Sequence, residues 1–190
     1  MEDKRLQSLV DHASSELTKG ILPFWMKYVV DKERGGFYGE ISDSLEVKKD
    51  APKGSLLTSR ILWTFSSSYL RFKAEDYLKV ADFAYDYLIR AFWDTNNSGL
   101  FWLVDPDGKP INKRKQIYGQ AFGIYALSEY YKATRKRDAL NRAVELFNLM
   151  EDKSCDKQES GYFEAYTRDW RLQADMRLTP FDLNEKKSAN

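Results

Sequence analysis

Three glycines set the period of this chain. Gly36, Gly99 and Gly161 each open a short aromatic run, at residues 37–41, 100–104 and 162–166, and successive glycines stand 63 and 62 residues apart. Between them the apolar residues recur at spacings of three and four, the period of an amphipathic helix. That spacing predicts helices over 56–72 and 76–92, and again over 116–132 and 138–150. Asp76 and Asp138 lie at the start of the second helix of each pair, and Tyr69 pairs with Tyr131, and Ala81 with Ala143, at the same 62-residue step. The unit is helix, short turn, helix, aromatic hairpin. Self-similarity at a fixed period marks a repeat architecture, and this period exceeds the ~34 residues of tetratricopeptide and ~40–47 of HEAT arrays.

A unit of this size suits an α/α toroid, in which helix pairs alternate between an inner and an outer ring; an open helical solenoid is the alternative. The expected fold is therefore all-α, with short aromatic β-hairpins in the connecting loops. The chain holds roughly three units, about half of a closed ring of six. Residues 1–190 are then expected to form the N-terminal part of a single (α/α)6 barrel domain. Ahead of the first full pair, Leu6, Leu9, Val10, Ala13 and Leu17 predict a helix over 4–19 that Gly20 and Pro23 interrupt or end, and Phe24, Trp25, Tyr28 and Val29 continue an apolar face. Residues 42–54, polar and carrying Pro52 and Gly54, read as a loop. The last residues, Lys186 to Asn190, read as the start of another helix.

Composition excludes several functions. Lys plus Arg is 30 against 29 for Asp plus Glu, without the basic excess that phosphate binding requires, so no nucleic-acid partner is expected. Lys113, Arg114 and Lys115 form a local basic cluster that reads as a solvated turn. A single cysteine, Cys155, can make neither an internal disulfide nor a multi-cysteine metal site. No long apolar run follows Met1, so neither a signal peptide nor a membrane span is expected, and the expected address is cytoplasmic. The 28 aromatic residues include 12 Tyr and 5 Trp. Most must fill space between helices; a few can line a groove for sugars, whose C–H faces stack on rings.

Several blocks resemble the cellobiose 2-epimerases of the N-acylglucosamine 2-epimerase superfamily. They are Gly35-Gly36-Phe37-Tyr38-Gly39, Lys53-Gly54-Ser55-Leu56-Leu57-Thr58-Ser59-Arg60-Ile61-Leu62-Trp63, Tyr118-Gly119-Gln120-Ala121-Phe122-Gly123, and Leu183-Asn184-Glu185 through Asn190. They run in the family's order along nearly the whole chain, and Ser59-Arg60-Ile61-Leu62-Trp63 favours the cellobiose branch over the N-acylglucosamine one. The resemblance implies inversion at C2 of the reducing-end glucose of a disaccharide such as cellobiose or lactose, with no metal or organic cofactor. The ring opens, a base removes the C2 proton, a cis-enediol forms, and a proton returns from the other face. A proton beside a carbonyl is weakly acidic, so the developing oxyanion needs a fixed cation or donor. Arg60 matches the family's arginine for this role, and its guanidinium stays charged with several donors. Tyr118 matches a tyrosine that hydrogen-bonds the sugar, and Asn190 an asparagine at the cavity. The family's proton-shuttling histidines match nothing here. The one histidine, His12, falls on the first helix, so a chain of these residues is expected to be inactive.

Two other readings stand beside this one. A half-ring could be a sugar-binding or self-associating module. A toroid could also carry a glycosidase or lyase, which needs paired carboxylates at the cavity mouth; Glu40, Asp169 and Asp175 are the candidates.

Overall fold

The computed structural model of the protein describes residues 2–179. The helix expected near residue 186, and Asn190 with it, lie outside the described residues.

The first helical stretch does not stop at Gly20. α1 (Glu2–Glu16) passes into a π-helical turn at Leu17–Ile21, then α2 (Leu22–Phe24), then a second π-turn at Trp25–Val29. Pro23 gives the reason. Its nitrogen has no hydrogen to donate, and its ring crowds the carbonyl four residues back. Widening the turn before it makes room, and the Leu22 N–H reaches the Leu17 carbonyl, five residues behind. The interruption expected from sequence is a bulge within a continuing helix.

The four remaining helices fall where the periodicity puts them, with ends shifted by up to three residues: α3 (Ser55–Phe72), α4 (Glu75–Tyr87) with a π-turn at Leu88–Phe92, α5 (Ile117–Thr134) and α6 (Arg137–Lys153). α3 and α5 end alike. Lys73 and Arg135 take left-handed backbone (φ 58° and 60°), and their N–H groups close on the Tyr69 and Tyr131 carbonyls. The next helix follows within two residues. Asp76 does not cap α4; the capping position is Ala74, and Glu75 and Asp76 instead put negative charge in the first turn, where the helix dipole favours it.

The helices form two layers. α3 and α5 lie side by side, and α4 and α6 back them. Small residues permit the close approach: Ser55, Ser59 and Ser66 of α3 are buried, and α5 carries Gly119 and Gly123. A Cβ on Gly123 would stand 2.7 Å from Leu100 Cδ1 and 3.0 Å from Leu146 Cδ1. The core between the layers gathers Leu62 and Phe65 of α3, Leu127 and Tyr130 of α5, and Ala84, Leu88, Ala143 and Leu146 from the outer layer. Each fully buried large side chain contributes about 1.5–3 kcal/mol. Tyr85 stacks on Tyr130 at 4.6 Å, and its hydroxyl donates to Asp138 at 2.5 Å. The Tyr130 hydroxyl donates to Asp82.

The hairpins repeat atom for atom. The N–H groups of Asp31, Asp94 and Asp156 donate to the carbonyls of Gly36, Gly99 and Gly161 at 2.9, 2.9 and 2.8 Å. Isolated bridges join Val30 to Phe37, Trp93 to Leu100 and Cys155 to Tyr162. The three glycines hold φ of 72°, 75° and 80°, a region that side chains disfavour. Here the repeat read from sequence becomes a repeated bend. The expected strands are shorter than the aromatic runs. Residues 37–41 make isolated bridges only, at Phe37 and Ile41. β1 (Lys53–Gly54) pairs with β2 (Leu103–Val104), β2 with β3 (Pro110–Asn112), and β4 (Lys115–Gln116) with β5 (Ala165–Tyr166), all antiparallel. The second and third runs change partner partway: each first meets the end of the preceding outer helix, then the residues before the inner helix one unit back, while in the first run Ile41 bridges Val47 of its own loop. No long ladder can form.

Candidate functional site

The loop end of the inner helices is anchored by buried charge. Lys53, immediately before α3, is 2% exposed and donates to Asp31 Oδ2 and the Gly35 carbonyl, both at 2.7 Å. One period later Lys115, fully buried before α5, donates to Asp94 Oδ2 at 3.1 Å and the Gly99 carbonyl at 3.3 Å. Asp31 Oδ1 accepts the N–H groups of Glu33 and Arg34, and Asp94 Oδ1 those of Asn96 and Asn97. Arg168, from the third hairpin, adds two bonds to Asp94 at 2.8 and 2.9 Å. Burial alone would raise the Asp94 pKa, but Arg168 and Lys115 overcome it and hold the carboxyl well below its usual range. Burial pushes Lys115 down to about 8 against the pull of Asp94. Lys53 sits over the Tyr87 ring, and Lys115 over Phe101 and Trp170.

These pairs correct the reading of residues 113–115 as a solvated turn: Lys113 is exposed, but Lys115 is a core residue. They also escaped the candidate site. The 62-residue step that aligns Lys53 with Lys115, and the 63-residue step from Asp31 to Asp94, were the signal that could have found them.

The pairs fix where α3 and α5 begin, and so where Arg60 and Tyr118 point. Arg60 lies on α3 opposite its buried stripe of Thr58, Ile61, Leu62 and Phe65, and is exposed. Among the described residues no carboxylate pairs with it; its guanidinium lies 5.9 Å from the centre of the Phe122 ring on α5. Tyr118, 42% exposed, packs against the same Phe122 at 5.0 Å. Its backbone N–H donates to the buried Glu164 at 3.0 Å, which holds the first turn of α5 against the third hairpin. Phe122 therefore brings the two sequence-chosen residues together, on the face of the inner helices turned away from α4 and α6. Further along this face Trp63 stacks on Tyr125 at 4.8 Å. Arg60 also lines a hollow of about 310 Å³ with Ile21, Trp25, Leu57 and Thr64. Asn190, the third chosen residue, lies outside the described residues.

The carboxylates considered for a glycosidase do not converge. Glu40 pairs with Lys48 at 3.1 Å, Asp169 with Arg171 at 2.9 Å and Asp175 with Arg177 at 2.9 Å, each at its own place on the surface. Among the described residues no three His, Cys, Asp or Glu side chains gather into a metal-binding group, and no helix is long and apolar enough to cross a membrane. His12 is an exposed residue of α1.

Paired helices in two layers with repeated hairpins at one end define part of an α/α toroid, and an arginine and a tyrosine stand on its inner face. Residues 36–182 match the family N-acylglucosamine 2-epimerase (GlcNAc 2-epimerase), and the chain belongs to that family. It is 45% identical over 182 residues to a cellobiose 2-epimerase of Bacteroides fragilis, an alignment covering 96% of this chain and 46% of that protein. The solved cellobiose 2-epimerase of Spirochaeta thermophila superposes with a TM-score of 0.90 at 38% identity, over 97% of this chain and 45% of that one. The human N-acylglucosamine 2-epimerase is more distant, 26% identical over 151 residues that make up 77% of this chain and 35% of its own length. The chain thus spans under half the length of the curated relatives it matches.

Proposed function

We propose that this chain supplies the N-terminal part of a carbohydrate 2-epimerase of the cellobiose type. The substrate is a β-1,4-linked disaccharide such as cellobiose or lactose, and the reaction inverts C2 of its reducing-end glucose. The observation that carries the proposal is the state of Arg60. Its guanidinium stands free of any described carboxylate, on the inner face and one ring, Phe122, away from Tyr118.

In the ring-opened sugar the C1 carbonyl acidifies the C2 proton, so no metal or organic cofactor is required. Removal of that proton pushes negative charge onto the carbonyl oxygen. Arg60 meets the charge with fixed N–H donors, an interaction stronger in the transition state than in the ground state. Tyr118 hydrogen-bonds a sugar hydroxyl and orients the carbon skeleton, and Asn190, which matches the family's asparagine, is assigned to substrate binding on that resemblance alone. The groups that take and return the proton are histidines absent from these 190 residues; the one histidine here, His12, is an exposed residue of α1 and matches none of them. The proposal includes a cytoplasmic address.

The test uses a protein of these 190 residues and cellobiose in heavy water. Sugar binding is expected, together with no deuterium at C2, since each missing acid or base costs about 10²–10⁴ in rate. Arg60→Ala is expected to weaken binding about tenfold, the loss of a charged hydrogen bond. An Arg60→Ala protein that binds as the parent does overturns the assignment of Arg60, while exchange at C2 overturns the expected inactivity of these 190 residues.

A further inference from the structure

The outer helix α6 carries two apolar stripes, although one suffices to hold it to the core. Ala139, Ala143 and Leu146 are buried. Leu140, Val144 and Phe147 form the second stripe, at spacings of four and three. Leu140 is half-buried, and Val144 and Phe147 are 49% and 52% exposed.

The repeat shows what a stripe in this position does. One 62-residue step earlier, Val144 and Phe147 correspond to Asp82 and Tyr85 of α4. Those two residues form the seam between one helix pair and the next. Tyr85 is buried, stacked on Tyr130 of α5 at 4.6 Å and bonded to Asp138 of α6. Asp82 accepts from the Tyr130 hydroxyl and, at 2.8 Å, from Lys136. The face that α4 presents to the following unit is therefore presented again by α6, now as bare valine and phenylalanine. The opposite edge of the molecule shows apolar side chains too. Leu6, Leu9 and Val10 lie along one side of α1, all exposed and Leu9 by 64%. The helical stretch ending at Val29 runs through a π-turn into its hairpin as α4 does, so it holds an outer place in the ring. Among the described residues three outer helices thus stand in order, that stretch, α4 and α6, half the six of an (α/α)6 ring. The first and the last of them are the two edges with exposed apolar stripes.

We propose that two copies of this chain close on each other about a two-fold axis, the α6 stripe of each packed on the α1 stripe of the other. Three outer helices from each copy then make a ring of six. Two-fold closure covers both edges of both copies, because the contact made in one direction is made again in the other. It also turns the two Arg60–Tyr118 faces, each exposed in a single copy, onto one shared hollow. The pairing rests on the repeat and the two stripes, and not on the sugar reaction proposed above.

The experiment measures mass by light scattering on the eluting protein over a range of concentrations. The parent is expected to reach a plateau at twice the 22.2 kDa of one chain. Phe147→Glu and Leu9→Lys, both at exposed positions, should each return the mass to one chain with unchanged far-ultraviolet circular dichroism, since each buries an unpaired charge in the seam. An equimolar mixture of the two variants should recover the two-chain mass. There the glutamate of one copy meets the lysine of the other in one seam, and the second seam is unaltered. A parent that stays at one chain overturns the proposal, as does a mass that climbs past two chains without a plateau. A Leu9→Lys protein that pairs as the parent does would mean α6 against α6, and a mixture that stays at one chain would mean that the two stripes do not meet; either result overturns it as well.

Discussion

At the scale of single residues, Asp94 gathers more buried polar bonds than any candidate site residue, accepting from Lys115, Arg168 and two backbone N–H groups. Truncating one partner of a buried ion pair leaves the other charged and unpaired, at a cost of about 3–5 kcal/mol. Asp94→Ala should lose about that much in urea unfolding at pH 7, with a lower sugar affinity because α5 starts less firmly. The pH dependence follows from the depressed carboxyl. Its folded pKa lies below the ordinary 3.8, so the stability it gives is complete above that value and drains away as the pH falls toward the folded one. The gap between parent and Asp94→Ala should be constant from pH 5 to 7 and narrow below pH 4; a gap indifferent to acid would count against the ion pair. Arg60 and Tyr118 were legible in the sequence because their neighbours form motifs. Lys115 was not, because a lysine between Arg114 and Gln116 in a polar stretch carries no local sign of burial. Its partners Asp94 and the Trp170 ring come from 21 and 55 residues away, and only the fold assembles them.

At the scale of elements, helices were legible and their irregularities were not. Spacings of three and four residues report which face is buried, and α3 to α6 follow them. The π-turns at Trp25–Val29 and Leu88–Phe92 occupy equivalent places, each just before a hairpin. They re-aim the chain there, and no residue pattern announced them. The strands were overestimated for a related reason: aromatic residues favour extended backbone, but ladder length depends on partners that belong to other units. The close packing of α5 against α6 and the second hairpin gives a sharper expectation. Gly123→Ala pushes a methyl into Leu100 and Leu146, and overpacking of this kind costs about 1–3 kcal/mol. A lowered unfolding midpoint with an unchanged slope is the expected result; an unchanged or raised midpoint would mean that α5 and α6 can separate freely.

At the scale of the molecule, the apolar surface is unevenly distributed. Leu6, Leu9 and Val10 of α1 are exposed, as are Tyr118 and Tyr125 on the inner face. Exposed apolar surface of this extent promotes association. Light scattering should give a mass that climbs above 22.2 kDa with concentration and falls back in a Leu9→Lys, Tyr125→Lys double variant; a steady monomer would remove the self-associating module from consideration. The period in the sequence was enough to foresee helical pairs around an inner layer, because repetition at one step constrains every unit together. The bends between those pairs have a consequence of their own. Each is closed by bonds within seven residues, at Asp31, Asp94 and Asp156, and the first two are locked by a lysine that follows within the same period, Lys53 or Lys115. A gene encoding such a protein can be lengthened by tandem copying of one stretch, and the newcomer arrives with its corner already folded, provided the splice falls at the same phase of the period.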